Sequence, residues 1–138
     1  MSLDLPGCSY CETYAEPAGT VLDHEHWAVV HGPGASTRAG GLKIVARRHY
    51  VDFHEMDDAE AAAFGILLRR LDAAVRAVTG AERVHLVSTR DRVQHFHAWL
   101  YPRLADDELR GTAYLAAPQR ASDEEVAAAT AGLRAALV

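Results

Sequence analysis

The sequence predicts an α+β domain, in which an antiparallel sheet carries one long helix packed on it and a C-terminal helix. Three observations lead to this fold class. Two short β-branched runs come first, a long stretch with helical spacing follows, and two more strand-like runs precede a final helix. Strands grouped before and after a helix, rather than alternating with helices, are typical of α+β folds with an antiparallel sheet.

The composition is that of a soluble globular domain. The 138 residues are 49% apolar and 24% charged, which suits a single domain over residues 1–138. The net charge of −5 argues against a surface that neutralises nucleic-acid phosphates. No apolar run approaches the roughly 20 residues of a spanning helix, and the N-terminus lacks the features of a secretory signal. We therefore expect a cytoplasmic protein that binds neither nucleic acid nor membrane.

The first two strands are predicted from the runs "WAVVHG" and "LKIVARR". Both runs are rich in β-branched residues. The segment between them, "GPGASTRAGG", has the glycine and proline content of a loop or turn. We expect the two strands to be neighbours in the sheet.

The long helix is predicted to begin after Asp57. Asp57 and Glu60 have the spacing of a capping box, and Gly80 provides a stop signal. Apolar residues recur between them at helical spacing, namely Phe64, Leu67, Leu68, Leu71, Val75 and Val78. One face of this helix should therefore cover the sheet.

A β-hairpin and a final helix complete the predicted fold. The runs "RVHLVST" and "VQHFHAWLYPR" flank the polar "RDR". We expect the second of these strands to end at Pro102, because proline cannot donate to a ladder. The final helix is predicted to begin at Ser122, with Glu125 completing a capping box. Its apolar face would carry Val126, Leu133 and Leu137.

Cys8 and Cys11 form a C-x-x-C pattern near the N-terminus. Local spacing leaves three interpretations open: a redox pair, two unrelated small residues in an N-terminal arm, or half of a zinc site completed by distant histidines. A redox pair would normally open a helix after a strand inside a βαβ unit, and no such unit surrounds Cys8. The zinc interpretation depends on where the eight histidines lie.

His95 and His97 lie one residue apart in "VQHFHAWLY". In a strand they share a face, because side chains alternate. That face would carry Val93, His95, His97, Trp99 and Tyr101, and the other, mostly apolar face Gln94, Phe96, Ala98 and Leu100. Roughly 7 Å along the strand separates the two histidines, too far for both to bind one zinc easily at Zn–N distances of roughly 2.0–2.1 Å. The spacing favours two separate roles.

The run "HFHAWLYPR" resembles the signature strand of the histidine triad family, His-x-His-x-His followed closely by Pro-Arg. The segments "CSYC", "LKIVARRHY" and "ERVHLVSTRDRVQHFHAWLYPR" also fall in the order of that family. On these motifs the chain is identified as a bacterial zinc-containing histidine triad protein with a His-x-His-x-Trp variant of the signature. The resemblance implies the histidine triad fold, a small α+β architecture.

The resemblance also implies a structural zinc ion. In zinc-containing bacterial members, two N-terminal cysteines join a histidine just before the long helix and the first histidine of the signature. The matching residues here are Cys8, Cys11, His49 and His95. Two thiolates and two imidazoles in a closed tetrahedron are a chemically sound structural site.

His97 matches the nucleophile of the family. The family's middle histidine attacks the α-phosphorus of a nucleotide derivative and forms a nucleotidyl-histidine, which water hydrolyses or a second acceptor receives. Imidazole suits this chemistry, because its ordinary pKa near 6.5 leaves a neutral, nucleophilic nitrogen at physiological pH. The resemblance thus implies a nucleotide phosphate hydrolase or nucleotidyl transferase, whose partner is a nucleotide or nucleotide derivative.

Several positions depart from the family pattern. Trp99 replaces the third histidine and cannot act as acid or base, although it can donate to a phosphoryl oxygen or stack on a base. His31 stands where the family commonly has an aspartate that binds ribose hydroxyls. Ser88 and Arg92, in the loop before the signature, and Arg103, just after it, are candidates for phosphate contact. We expect a reduced rate and altered nucleotide recognition.

Two alternatives to this enzyme are considered. One is a catalytically weak or inactive nucleotide-binding or interaction protein that keeps the scaffold without the third histidine. His97 favours the enzyme, whereas Trp99 favours the binding protein. The other is a hydrolase with zinc at its reaction centre, which is weaker because four protein ligands leave zinc no open position for water. The resemblance also makes a homodimer an expectation of this sequence.

Overall fold

The computed structural model describes residues 5–14 and 19–138. A five-stranded sheet with the spatial order β1-β2-β3-β5-β4 organises this part of the chain, and each neighbouring pair is antiparallel. The strands are β1 (Thr20–Asp23), β2 (Trp27–His31), β3 (Leu42–Ala46), β4 (Arg83–Val87) and β5 (His97–Arg103). The described residues also form four α-helices, α1 (Ser9–Tyr14), α2 (Asp58–Thr79), α3 (Gly111–Ala116) and α4 (Asp123–Ala136), and one 3-10 helix (Phe53–Glu55). The predicted fold class is confirmed.

The predicted strand pairs are neighbours in the sheet. The β2 and β3 strands pair from Trp27 opposite Ala46 to His31 opposite Leu42, as the two β-branched runs predict. The β4 and β5 strands pair as the predicted hairpin. The β3 and β5 strands also pair directly, so the strand that begins at His97 has a neighbour on each side.

The α2 helix begins and ends where the sequence predicts. The Asp57 side chain accepts from the Glu60 backbone N–H at 2.8 Å, and the Glu60 side chain accepts from the Asp57 N–H at 2.8 Å. Gly80 ends the helix at φ 73°, in the left-handed region that favours glycine. Leu67, Leu71 and Val75 are buried in the core against the sheet.

The α4 helix likewise begins at its predicted capping box. The Ser122 side chain accepts from the Glu125 N–H, and the Glu125 side chain accepts from the Ser122 N–H. Leu133 is fully buried in the core, and Leu137 packs on it. Val126 is half-buried. The predicted apolar face of this helix is therefore the one that faces the rest of the fold.

An aromatic cluster in the core anchors the segment that carries both histidines. Phe96, which lies between them in the sequence, is completely buried. Its ring lies 5.7 Å from the Phe64 ring, 5.8 Å from the Trp27 ring and 4.9 Å from the Phe53 ring. Burial of a phenylalanine side chain contributes roughly 1.5–3 kcal/mol. This anchoring positions His95 and His97.

The last strand differs from the prediction at both ends. It begins at His97 rather than at Val93 and continues through Pro102 to Arg103. Pro102 pairs with Val84 of β4 but lies past Leu100, the last residue of β5 that pairs with β3. On the β3 side of β5, Pro102 therefore has no paired strand that would need an N–H donor. The proline is for this reason tolerated within the strand.

Four short elements were not predicted, namely β1, α1, α3 and a 3-10 helix at Phe53–Glu55. Each has six residues or fewer, too short to show a helical or strand period in the sequence. Among the described residues, no helix is both long and apolar enough to span a bilayer.

Candidate metal centre and histidine site

Four metal-binding side chains meet at one point beside the sheet. Cys8 precedes α1, Cys11 lies within it, His49 follows β3 and His95 precedes β5. One donor atom from each lies within 4.8 Å of all the others. The four residues that the family resemblance implies as zinc ligands are therefore brought together from three distant parts of the chain.

The distances between these donors suit a tetrahedral ion. Cys11 Sγ lies 3.3 Å from His49 Nδ1 and 3.5 Å from His95 Nδ1, and the two Nδ1 atoms are 3.1 Å apart. Cys8 Sγ lies 3.6 Å from His95 Nδ1. Zinc bonded to sulfur and nitrogen at its usual lengths places neighbouring donors roughly 3.3–3.8 Å apart. Three of the four distances lie in that range, and the distance of 3.1 Å between the two Nδ1 atoms is slightly shorter.

Hydrogen bonds around the cluster prepare its donors for a cation. His95 Nε2–H donates to the Ala46 carbonyl at 2.7 Å, which leaves Nδ1 unprotonated and directed at the other donors. Backbone N–H groups point at both sulfurs, Cys11 N at Cys8 Sγ and Leu5 N at Cys11 Sγ. The cluster fits a structural zinc ion held by four protein ligands.

His97 is not one of the four clustered donors. It begins β5, is 6% exposed, and its Nδ1–H donates to the His95 carbonyl at 2.7 Å. The proton is thereby held on Nδ1, and the Nε2 lone pair is available. Burial lowers the pKa of His97 below its ordinary value, and the nearby cations Lys43 and Arg90 lower it further. The ring is therefore neutral and nucleophilic at physiological pH.

The α1 helix joins the metal centre to His97. Tyr10 lies on that helix between the two cysteines, and its ring centre is 4.9 Å from the His97 ring. It is also 6.1 Å from the His95 ring. A metal that holds Cys8 and Cys11 would therefore also hold Tyr10 beside the His97 ring.

Trp99 lies on the same face of the sheet as His97. Its ring is stacked on the Tyr101 ring at 5.7 Å and an interplanar angle of 9°. Directly opposite it in the register is Lys43 of β3, a residue that the sequence-based assignment of the site did not include. The sequence does contain an indication of a special role for Lys43, because it is the one charged residue in the otherwise apolar run "LKIVA". Charged residues in buried strands are rare.

The loop before β5 contributes Ser88 and Arg90. Ser88 Oγ donates to the His97 carbonyl at 2.6 Å. Arg90 Nη1 donates to both Ser88 oxygens, and Arg90 Nε donates to Asp52 at 3.3 Å. Arg92, which the sequence analysis gave as a candidate for phosphate contact, is exposed and lies on the surface beside Cys8 and Val93. Arg90 rather than Arg92 therefore connects this loop to the His97 backbone.

Arg103 and His31 are hydrogen-bonded to other residues. Arg103 ends β5, six residues beyond His97, and its buried guanidinium donates to Glu82 at 2.7 Å. His31 uses both ring nitrogens, since Nδ1–H donates to the Gly32 carbonyl at 2.7 Å and Nε2 accepts from the Gly40 N–H at 2.8 Å. Each of these side chains is thus hydrogen-bonded to residues other than His97.

Comparison by sequence finds no matching family model and no similar curated protein. Comparison by structure finds a hypothetical histidine triad nucleotide-binding protein from Sulfolobus tokodaii strain 7, with a TM-score of 0.74 and 14% identity over 94% of this chain and 91% of that chain. A Zn-bound histidine triad family protein from Mycobacterium smegmatis has a TM-score of 0.74 and 21% identity over 95% and 93%.

A histidine triad protein from Bradyrhizobium japonicum is also similar, with a TM-score of 0.73 and 18% identity over 86% of this chain and 90% of that chain. These identities are low, so the likeness is one of fold. The fold implied by the signature strand is confirmed, and the chemistry must be argued from the residues themselves.

Proposed function

We propose that this chain is a histidine triad protein that transfers or hydrolyses a nucleotidyl group, with His97 as the nucleophile. The observation that carries the proposal is the state of the His97 ring. Its Nδ1–H is bonded to the His95 carbonyl, and no described residue has a hydrogen bond to Nε2. A neutral imidazole with a fixed proton and an available lone pair is prepared for attack on phosphorus.

The reaction then has two steps. In the first, the Nε2 lone pair forms a bond to the α-phosphorus, and the bond from phosphorus to the leaving group breaks with its electron pair going to that group. The positive charge on the ring is stabilised by the Nδ1–H bond to the His95 carbonyl. In the second, water or another acceptor attacks the same phosphorus, loses a proton to solvent, and returns the electron pair of the P–N bond to His97.

Trp99 shapes which leaving groups are tolerated. An indole N–H donates but does not release a proton near neutral pH, so the leaving group receives no general acid from this position. General acid–base help is worth roughly 10²–10⁴-fold where it operates. We infer that groups which leave as stable anions react faster here than groups that need a proton.

The metal has a structural role in this proposal. Zinc would supply a cross-link between Cys8, Cys11, His49 and His95 when bound. Four protein ligands close the coordination sphere, so each chemical step belongs to His97 and its neighbours. The chain's own contribution is to hold Tyr10 and the start of β5 in place.

A nucleotide-binding protein without turnover is the second candidate. Trp99 favours it, because the flat indole stacked on Tyr101 offers a platform for a base in place of the third histidine. This protein would bind a nucleotide or nucleotide derivative with the same face of the sheet and release it unchanged.

The deciding experiment measures nucleoside monophosphate release from nucleoside phosphoramidates, dinucleoside polyphosphates and nucleotide sugars, using the zinc-loaded protein and His97→Ala. Turnover of any member that disappears in His97→Ala supports the enzyme. Nucleotide binding without turnover of any member supports the binding protein. The cytoplasmic location and the homodimer stay predictions, and sedimentation of the purified protein tests the second of them.

A further inference from the structure

Lys43 places a buried cation on the face of the sheet that carries His97. It is 5% exposed and lies directly opposite Trp99, while Val45, two residues on, lies opposite His97. Paired residues of antiparallel strands point to the same face, and residues two apart along a strand share that face. Lys43, Trp99 and His97 are therefore neighbours on one surface.

Three aromatic rings enclose the Lys43 ammonium. Nζ lies 4.1 Å from the centre of the Tyr10 ring, 4.9 Å from Trp99 and 5.0 Å from Tyr14. It donates to the Tyr14 hydroxyl at 2.9 Å. Ring faces attract a cation, and the enclosure orients Nζ within the site. The phenols bring no negative charge, because burial raises the pKa of Tyr10 to about 12 and raises that of Tyr14 as well.

The ammonium has no carboxylate partner among the described residues. The ion pairs found in residues 5–14 and 19–138 involve other cations. A buried cation without a counter-charge is unfavourable. Burial lowers the pKa of Lys43 to about 8, so the group is still mainly charged at pH 7. An anion that enters this face would supply the missing charge.

We propose that Lys43 binds the phosphate chain of the substrate and makes the site select nucleotide derivatives with two or more linked phosphates over those with a single one. The inference rests on the proposed function, since it assumes that the phosphates approach His97. The geometry supports it, because Tyr10 contacts both the His97 ring and the Lys43 ammonium. A second phosphate beside the one attacked would lie within reach of Nζ.

The test uses inorganic pyrophosphate and inorganic phosphate as probes of the zinc-loaded protein at pH 7, measured by calorimetry. We expect pyrophosphate to bind at least about tenfold more tightly than phosphate. Lys43→Met, which keeps an unbranched side chain between the rings, should lose most of that difference. Arg69→Met, which removes an exposed cation from α2, is the matched control and should retain it. Equal pyrophosphate affinity in the native protein and in Lys43→Met would overturn the proposal.

Two further measurements keep the test independent of how the variant folds. The Nζ resonance of Lys43 in the native protein should shift on addition of pyrophosphate, and an unchanged resonance at saturation contradicts the proposal. Lys43→Met should also be at least as thermally stable as the native protein, because it removes a buried charge.

The outcomes separate this inference from the proposed function. If pyrophosphate binding depends on Lys43 but no substrate is turned over at His97, the proposed anion site is supported and the proposed enzyme activity is rejected. If phosphoramidate turnover depends on His97 but pyrophosphate and phosphate bind with equal affinity, the proposed enzyme activity is supported and the proposed role of Lys43 is rejected.

Discussion

Lys43 lies directly opposite Trp99 across the β3–β5 pair, with its Nζ 4.9 Å from the centre of the indole ring. Trp99, at the third position of the signature, is therefore one of the aromatic residues that surround the Lys43 ammonium. Among aromatic side chains, the face of an indole ring attracts a cation most strongly. Replacement of the third histidine by Trp99 and the presence of Lys43 on the neighbouring strand are thus parts of one arrangement.

Restoring a histidine at the third position should change the rate. Trp99→His would return an acid to the leaving-group side of His97, and we expect kcat on a nucleoside phosphoramidate to rise by up to roughly 10²–10⁴-fold. Steady-state kinetics measures it. Trp99→Phe, which keeps an aromatic ring but supplies no acid, is the control. If both variants have the same kcat as the native protein, proton donation from this position does not limit the reaction.

Pyrophosphate affinity should depend on pH through Lys43. The pKa of Lys43 is lowered to about 8 by burial, so the ammonium is present below that pH and is lost as pH rises through it. Of the groups that face it, Tyr10, Tyr14 and Tyr101 have raised pKa values and stay neutral. His97, whose pKa is lowered, is neutral throughout this range.

The measurement is calorimetry between pH 6.5 and 9.5 on the native protein and on Lys43→Met. The ratio of the two affinities removes the ionisation of pyrophosphate itself and the effect of Arg90, the other cation near His97. We expect the ratio to fall toward one above pH 8. A ratio that stays constant across the range would be inconsistent with an ammonium that titrates in the site.

Loss of one metal ligand should release the N-terminal segment. The purified protein should contain one zinc per chain, and Cys11→Ser should contain much less. Because binding of a structural zinc contributes directly to folding, we expect Tm to fall by at least about 5 °C. Elemental analysis and calorimetry measure both quantities. Ser9→Ala, on the same helix, is the control, and a full zinc content in Cys11→Ser would remove Cys11 from the ligand set.

The buried carboxylate at the start of α2 should matter for stability. Glu60 is 2% exposed and accepts from Arg48 Nη2 at 2.7 Å as well as from the Asp57 N–H. Glu60→Ala removes both contacts, and we expect it to lower the free energy of unfolding by about 2 kcal/mol. Denaturant unfolding measures the change.

The exposed pair of Asp72 and Arg76 provides the comparison for this measurement. Asp72→Ala should cost less than about 1 kcal/mol, because solvent screens exposed ion pairs. Similar losses in Glu60→Ala and Asp72→Ala would mean that burial adds nothing to the contacts of Glu60. Since Arg48 precedes His49 in the chain, Glu60→Ala should also weaken zinc retention.

The sequence by itself determined the features that depend on near neighbours. The α2 helix was predictable because Asp57, Glu60 and Gly80 act within one turn of its ends. The prediction of separate roles for His95 and His97 used the rise of a strand, whereas His95 lies just before β5. The set of zinc ligands, in contrast, followed from resemblance to a family rather than from local spacing.

Only the tertiary structure decided which side chains surround His97. Lys43 faces Trp99 because β3 pairs with β5 in one register, and a register between strands more than 50 residues apart leaves no mark in either run. The same holds for Arg90, whose Nε donates to Asp52 from a distant part of the chain, and for Arg103, whose partner Glu82 lies just before β4. Contacts across a sheet depend on how the whole chain closes its core, which local residue patterns do not encode.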